Sequence, residues 1–297
     1  MKYASIDIGS NAVRLLFMQV FEDTPQTFYK KDALFRVPIR LGEDAFVRKE
    51  ISPEKEESLL NTMIAFKHLI KAYQPASFMA CATSAIREAG NGRRVVDRIE
   101  KATEIKIEII DGSREADIIY SNKIAETMSK EGQYLYIDVG GGSTELTILS
   151  KDGIADSNSY SIGTVRMLAE QVAPSEWENM KNWLKAIRKK NESIYGIGSG
   201  GNINKIFNLT SRKAGKPISY KRLAAIYEQL SAYTYEERMR VFGLRPDRAD
   251  VIIPATKIYL SVMKWTGIKK LYVPQIGLSD GIIHVLHEKY KEQTLNF

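Results

Sequence analysis

The chain opens on alternation. Residues 3–8, 13–21 and 26–37 each alternate apolar and polar positions with a period near two, and short polar or glycine-bearing turns separate them. That is the pattern of three consecutive strands. The same triple recurs at 133–139, 144–150 and 154–162. Short apolar runs at 76–82, 106–110, 193–198 and 270–275 predict four more strands. Between them the period lengthens. Leu59, Leu60, Met63, Ile64, Phe66, Leu69 and Ile70 follow Ser52-Pro53 at helical spacing, which predicts a helix over 53–72. Two more helices are predicted, over 92–103 and from about 114. Ser175 with Glu178, and Thr234 with Glu237, have the spacing of a capping box. A long helix is expected over 248–266, kinked or broken at Pro254, and a last helix from near Asp280.

Each half of the chain therefore reads β-β-β-α-β-α-β-α. The duplication is visible in the residues as well. The stretch SIDIGSNAVRLLFM (5–18) keeps step with YIDVGGGSTELTIL (136–149), with Asp138 falling 131 positions after Asp7. An offset of that size is too long for a solenoid repeat and fits a duplicated domain. The expected fold class is α/β with two domains, 1–124 and 125–283, and a terminal helix over 284–297 that joins the first.

Composition narrows the class without naming a reaction. At 297 residues and 44% hydrophobic content the chain can bury two ordinary cores. No apolar run approaches the ~18 residues of a membrane span, and an aspartate at residue 7 argues against a secretory leader. The single cysteine, Cys81, excludes an intrachain disulfide or a multi-cysteine metal site. A cytoplasmic protein with no membrane partner is expected. The net charge of +7, from 43 basic and 36 acidic residues, favours anionic partners. The basic clusters are short and lack interleaved aromatics, so nucleic acid is disfavoured. The sequence does not fix the oligomeric state; a homodimer is compatible with it.

The duplicated turns carry the chemistry. Glycine lets the backbone reach positive φ or approach a ligand closely, and successive amides in such a turn form a nest for anions. Gly9, Ser10 and Asn11 in the first turn, and Gly140, Gly141, Gly142, Ser143 and Thr144 in the second, are candidate phosphate-binding residues. Asp7 and Asp138 end the preceding strands, where a carboxylate beside phosphate needs a cation between them. Mg²⁺ (or Mn²⁺) suits one or two carboxylates plus phosphate oxygens. Two hairpins facing each other across a cleft would clamp one phosphate chain. Arg14, one position into the second strand, and Arg87, at a helix start, are candidate phosphate ligands. A third cluster, GIGSGGN (196–202), satisfies G-x-G-x-x-G, yet no repeating βαβ run surrounds it. Gly198, Ser199 and Gly200 are instead candidates for a nucleotide's polar part or a distal phosphate.

In this order the three stretches resemble the actin-like ATPase superfamily, and in detail the exopolyphosphatase/guanosine pentaphosphatase (Ppx/GppA) family. The resemblance rests on DIGSNAVRL (7–15), ATSAIREAGN (82–91), DVGGGSTE (138–145), SIGTVRM (161–167) and GLRPDRADVI (243–252). It implies two actin-like (ribonuclease H-like) domains and hydrolysis of a terminal phosphate from polyphosphate or guanosine pentaphosphate, with the tetraphosphate as a related ligand. It puts the general base on Glu115, within DGSREA (111–116), a metal on Asp138, and a water-orienting role on Glu145. Three departures stand out: Ala12 in place of serine, Arg114 in place of an acid, and GLSDG (277–281) in place of G-L-R-E-G.

Rival readings remain open at this level. Cys81 and Arg87 satisfy C-x₅-R, the spacing of cysteine-dependent phosphatases, although the intervening loop has no glycine. An actin-fold kinase shares the scaffold. A non-catalytic nucleotide- or alarmone-binding regulator is the third reading.

Overall fold

The computed structural model describes residues 1–22, 27–122, 133–150, 153–190, 194–210, 213 and 215–295. The chain divides into two compact units, Met1–Asn122 with Leu278–Phe297, and Lys123–Gly277. The sequence reading placed these borders two and six residues later, at 124 and 283.

The first unit runs β1 (Lys2–Ile8), β2 (Val13–Phe21), β3 (Phe28–Val37), α1 (Leu41–Val47), α2 (Pro53–Tyr73), β4 (Ser77–Ala82), α3 (Ser84–Glu88), α4 (Gly92–Thr103), β5 (Ile107–Ile109) and α5 (Gly112–Tyr120). Its strands lie in the order β3-β2-β1-β4-β5. The first three are antiparallel neighbours, and β4 and β5 run parallel to β1. Residues Tyr3 to Ile8 are all buried, as befits a central strand covered on both faces. On one face Tyr3, Leu16, Met18, Val20 and Cys81 pack with Ile118 of α5 and with Leu278, Ile282, Ile283 and Leu286 of the final helix, α13 (Leu278–Leu295). On the other face Phe17 and Phe35 meet Tyr73 at the end of α2. Helix α2 starts where the sequence signals it, with Ser52 accepting from the Lys55 amide and Pro53 at its first position.

The second unit repeats the plan: β6 (Gln133–Val139), β7 (Thr144–Ser150), β8 (Gly153–Tyr160), α6 (Thr164–Leu168), α7 (Pro174–Lys190), β9 (Ile194–Ser199), α8 (Gly201–Leu209), β10 (Ile218–Ser219), α9 (Tyr220–Ser231), α10 (Tyr235–Phe242), α11 (Pro246–Ala249), α12 (Ile252–Thr266) and β11 (Lys270–Tyr272). The sheet order is β10-β11-β9-β6-β7-β8. Apart from the two-residue β10, this is the first sheet again. Leu135, Ile137, Val139, Leu146 and Ile148 point from β6 and β7 into a core shared with Tyr259, Val262 and Met263 of α12.

Several local expectations need correcting. Pro174 begins α7, so Ser175 lies inside its first turn and is not a cap. Thr234 and Glu237 do form a capping box. The expected helix over 248–266 is broken after Ala249, and Pro254 falls in the first turn of α12. There a missing amide costs nothing, so the proline follows a break without making a kink. The short helices α1 and α6 carry too few residues to show a helical period.

Helix α13 returns to the first unit and lies close against α5. Ser121 Oγ donates to the Gly281 carbonyl at 3.0 Å, and Ser5 Oγ to the Ser279 carbonyl at 2.8 Å. A Cβ on Gly281 would stand 2.1 Å from the Ile118 carbonyl oxygen. Gly281→Ala is therefore expected to destabilise the protein by about 2 kcal/mol, measured by denaturant unfolding.

Candidate active site

Loop residues of both units gather at the carboxyl ends of parallel strands, the usual site edge of an α/β sheet. In the first unit these are the β1–β2 turn, the start of α3 after β4 and the start of α5 after β5. In the second they are the β6–β7 turn and the Ser199–Gly200 corner after β9.

The two hairpin turns are held the same way. Gly9 N–H donates to the Ala12 carbonyl at 3.2 Å, and Gly140 N–H to the Ser143 carbonyl at 2.9 Å. A Cβ on either glycine would lie 3.2 Å from that same carbonyl oxygen, so close approach explains both glycines. Positive φ does not: among the described residues the glycines with positive φ are 153, 200, 215, 243 and 267. Behind each turn sits a short helix. Arg40 and Gly42 amides, at the start of α1, bond the Asn11 and Ser10 carbonyls at 3.0 and 2.8 Å. Thr164 and Val165 amides, at the start of α6, bond the Gly140 and Gly141 carbonyls at 3.0 and 2.8 Å. The buried Arg166 completes the brace, its Nε donating to the Gly142 carbonyl at 2.8 Å. First-turn amides lack intrahelical acceptors, which is why a helix start can hold loop carbonyls. In a trans peptide the N–H points opposite the C=O. With the carbonyls turned back, the amides of Asn11 and Ala12 in the first unit, and of Gly141, Gly142 and Ser143 in the second, each point away from the helix start that holds their own turn.

Other motif residues brace the same turns. Ser10 Oγ meets Ser84 Oγ at 2.9 Å, tying the A-T-S-A stretch to the first hairpin. Asn91 clamps residue 51 through both its amide atoms, at 2.9 and 2.8 Å. Arg87 donates through Nη1 to the Ile110 carbonyl at 2.7 Å, just ahead of α5. This contact makes Arg87 a brace for that helix start.

At the strand ends the two units diverge. Asp7 and Arg14 are cross-strand partners and form an ion pair at 2.5 Å, with Asp7 buried. A guanidinium thus answers the Asp7 charge, where the sequence suggested a metal. In the second unit the equivalent partners are Asp138 and Glu145, two carboxylates side by side. Like charges opposite each other destabilise a sheet, so this pair suits a cation. Hydroxyls flank it: Ser199 Oγ lies 3.3 Å from Asp138 Oδ2, and Ser159 Oγ donates to Glu145 Oε1 at 3.1 Å. Among the described residues no group of three or more metal-ligating side chains occurs. Mg²⁺ needs only one or two carboxylates when phosphate and water fill the other positions, so the pair fits such an ion.

Glu115 is buried in the first turn of α5, one turn before Ile118 on the stripe that faces the sheet and α13. Asp111 caps this helix, accepting from the Arg114 amide at 2.8 Å. Arg114 itself turns to Glu108, at 3.3 Å.

The third glycine cluster spans the end of β9 and the start of α8. A Cβ on Gly198 would stand 3.0 Å from Ile203 and 3.3 Å from Tyr259, so Gly198 serves packing within β9. Ser199 is buried, also donates to the Ile276 carbonyl at 3.0 Å, and accepts from Tyr259 at 2.5 Å. Gly200, at φ 99, is the corner that opens α8 beside Asp138.

Cys81 is fully buried, and burial with nearby Glu108 and Asp7 pushes its thiol up to about 12. A thiolate nucleophile is excluded at neutral pH.

A model of the Ppx/GppA phosphatase family matches residues 34–289. The chain belongs to this family. Over 289 residues it is 29% identical to the bifunctional 3-dehydroquinate synthase/phosphatase of Fusobacterium nucleatum, covering 89% of this chain and 43% of that one. It is 23% identical to the guanosine-5'-triphosphate,3'-diphosphate pyrophosphatase of Photobacterium profundum, covering 99% of this chain and 62% of that one. The chain thus spans only part of the length of these relatives. The crystal structure of an exopolyphosphatase from Cytophaga hutchinsonii superposes with a TM-score of 0.81 over 97% of this chain and 98% of that one, at 23% identity. Both units are of the actin-like class.

Sequence reasoning missed Gly163, Arg166 and Ser159. The first two lie in the quoted SIGTVRM stretch, but only the fold shows that it braces a loop 24 residues earlier. A Cβ on Gly163 would stand 2.3 Å from the Gly141 oxygen and the Gly142 carbon. Gly163→Ala is expected to displace the second hairpin and lower kcat/KM for phosphate release by about 100-fold. Cys81→Ser is expected to leave that rate unchanged.

Proposed function

We propose that the protein hydrolyses terminal phosphoanhydride bonds of inorganic polyphosphate or guanosine pentaphosphate, releasing orthophosphate. The observation that carries this reading is the outward-aimed amide loop ending in the Asp138–Glu145 pair, in a member of this family. The net charge of +7 favours either anion and does not choose between them.

In this reading the amides of each turn, with Ser10 and Asn11 in the first unit and Ser143 and Thr144 in the second, hold phosphoryl oxygens. Asp138 and Glu145 hold Mg²⁺ or Mn²⁺. When bound, such an ion neutralises charge on the phosphoryl oxygens and the leaving group. Glu115 takes a proton from the attacking water as its oxygen bonds the terminal phosphorus. The bond from that phosphorus to the bridging oxygen breaks, leaving a chain one phosphate shorter. General-base assistance of this kind supplies about 10²–10⁴-fold, and the remainder comes from positioning and charge. Two of the similar proteins are named a guanosine-5'-triphosphate,3'-diphosphate pyrophosphatase and an exopolyphosphatase. No helix among the described residues is long and apolar enough to cross a membrane.

The test is phosphate release from long-chain polyphosphate and from guanosine pentaphosphate, with Mg²⁺ and with chelator. Release that needs Mg²⁺ and falls at least about 100-fold in Glu115→Gln is expected. Binding without release by the wild type would instead make the protein a regulator, and phosphate transfer from ATP to an added acceptor would make it a kinase.

A further inference from the structure

The carbonyls of the two turns are not held by the same kind of group. In the second hairpin the Gly142 carbonyl is held by the Arg166 side chain at 2.8 Å. Asn11 falls 131 positions earlier, the same offset that relates Asp7 to Asp138. Its carbonyl is held by a main-chain amide, that of Arg40, at 3.0 Å. A long side chain can swing to its acceptor, whereas an amide goes only where its backbone is turned. Arg40 is turned by a left-handed conformation, φ 60 and ψ 44. A residue with a Cβ adopts that conformation against a steric cost. The bond to Asn11 therefore depends on whatever keeps Arg40 left-handed.

Lys55 supplies that restraint from α2. Its Nζ donates to the Arg40 carbonyl at 2.6 Å and to Glu43 Oε2 at 2.9 Å, and lies 3.3 Å from Asp44 Oδ1. Glu43 Oε1 in turn accepts from Arg40 Nε. One ammonium thus fixes Arg40 at its carbonyl directly and at its side chain through Glu43. The Glu43 amide reaches the same carbonyl at 3.1 Å, but it belongs to the turn it would have to restrain. The place of Lys55 also runs against local preference. It is the third residue of α2, and Ser52 accepts from its amide. A glutamate or glutamine there would complete a capping box, and a cation there opposes the helix dipole. Helix formation alone would not choose lysine at this position.

We propose that Lys55 is a positioning residue for the first hairpin. By holding Arg40 left-handed it keeps the Asn11 carbonyl drawn back, and so leaves the Ala12 amide pointing away from α1 and open to a phosphoryl oxygen. The proposal rests on the phosphate-binding reading of that hairpin. Lys55 acts in it through Arg40 and is not itself a phosphate ligand, because Arg40, Glu43 and Asp44 already surround its ammonium.

The experiment measures binding of inorganic tripolyphosphate to the full chain by calorimetry, with chelator present to prevent turnover. Lys55→Met keeps the aliphatic stem, while Glu43 retains Arg40 and Asp44 retains the Ser52 amide at 3.0 Å, so the variant should fold. It is expected to raise Kd about fivefold. The deciding comparison repeats the change in an Arg40→Gly background, because glycine takes the left-handed conformation without restraint. There Lys55→Met should raise Kd by less than about twofold. A merely structural lysine would behave in the opposite way, since Arg40→Gly deprives Glu43 of its second partner and would deepen the loss of Lys55. An equal or larger loss in the glycine background overturns the proposal. If Gly9→Ala weakens binding and Lys55→Met in the otherwise wild-type chain does not, the proposal falls and the hairpin reading stands. If Gly9→Ala binds tripolyphosphate as the wild type does, or the wild type does not bind it, the hairpin reading falls and the proposal with it.

Discussion

Everything in the proposed site depends on carbonyls being pulled backward. A glycine-bearing turn left to itself presents a mixture of donors and acceptors and has no preference for anions. Here the first amides of α1 and α6 occupy the carbonyls of the two turns from behind. Planar trans peptides then send the opposing N–H groups the other way. The helix starts need acceptors, the turns need their carbonyls removed, and one set of bonds serves both. This explains why each hairpin is followed by a third strand and then a helix of only seven or five residues. Such a helix adds little to the core, and its value lies in its first turn.

Given that shared backbone, function is set by the side chains at the strand ends. Duplication kept the aspartate in both copies and changed its cross-strand neighbour, to Arg14 in one and Glu145 in the other. The first pair is internally neutralised. The second concentrates negative charge and suits a cation. One ancestral row has thus been divided into two complementary chemistries without any change of topology. The third glycine cluster belongs to the same division. Its G-x-G glycines allow Ile203, Tyr259 and Leu271 to approach β9, and Ser199 then stands next to Asp138.

Much of the fold was legible because it is written in local periods. The two strand triples, α2, α4 and the capping box at Thr234 follow from alternation, helical spacing and cap chemistry, which act over a few residues. The location of the candidate loops was legible for the same reason, since Asp and Gly in phase between strands mark a hairpin. What the side chains do there was not. Nothing local ties Arg166 to Gly142, Arg87 to Ile110 or Asp7 to Arg14 in preference to a ligand. These bonds join residues brought together by sheet order. The face of Arg36 was hidden more deeply, because a single inserted residue in β3 reverses the alternation that the sequence displays.

The two places where the structure breaks its own rules coincide with the candidate site. Elsewhere buried charge is answered locally, as where Arg94 and Arg98 hold the buried Glu56 at 2.6 and 2.9 Å. In the equivalent strand-end rows, like charges are set opposite each other in both units, carboxylates in one and guanidiniums in the other. A sheet selected for stability alone would replace either pair with residues that attract or pack. Conflict of this kind is expected where stability is given up for binding.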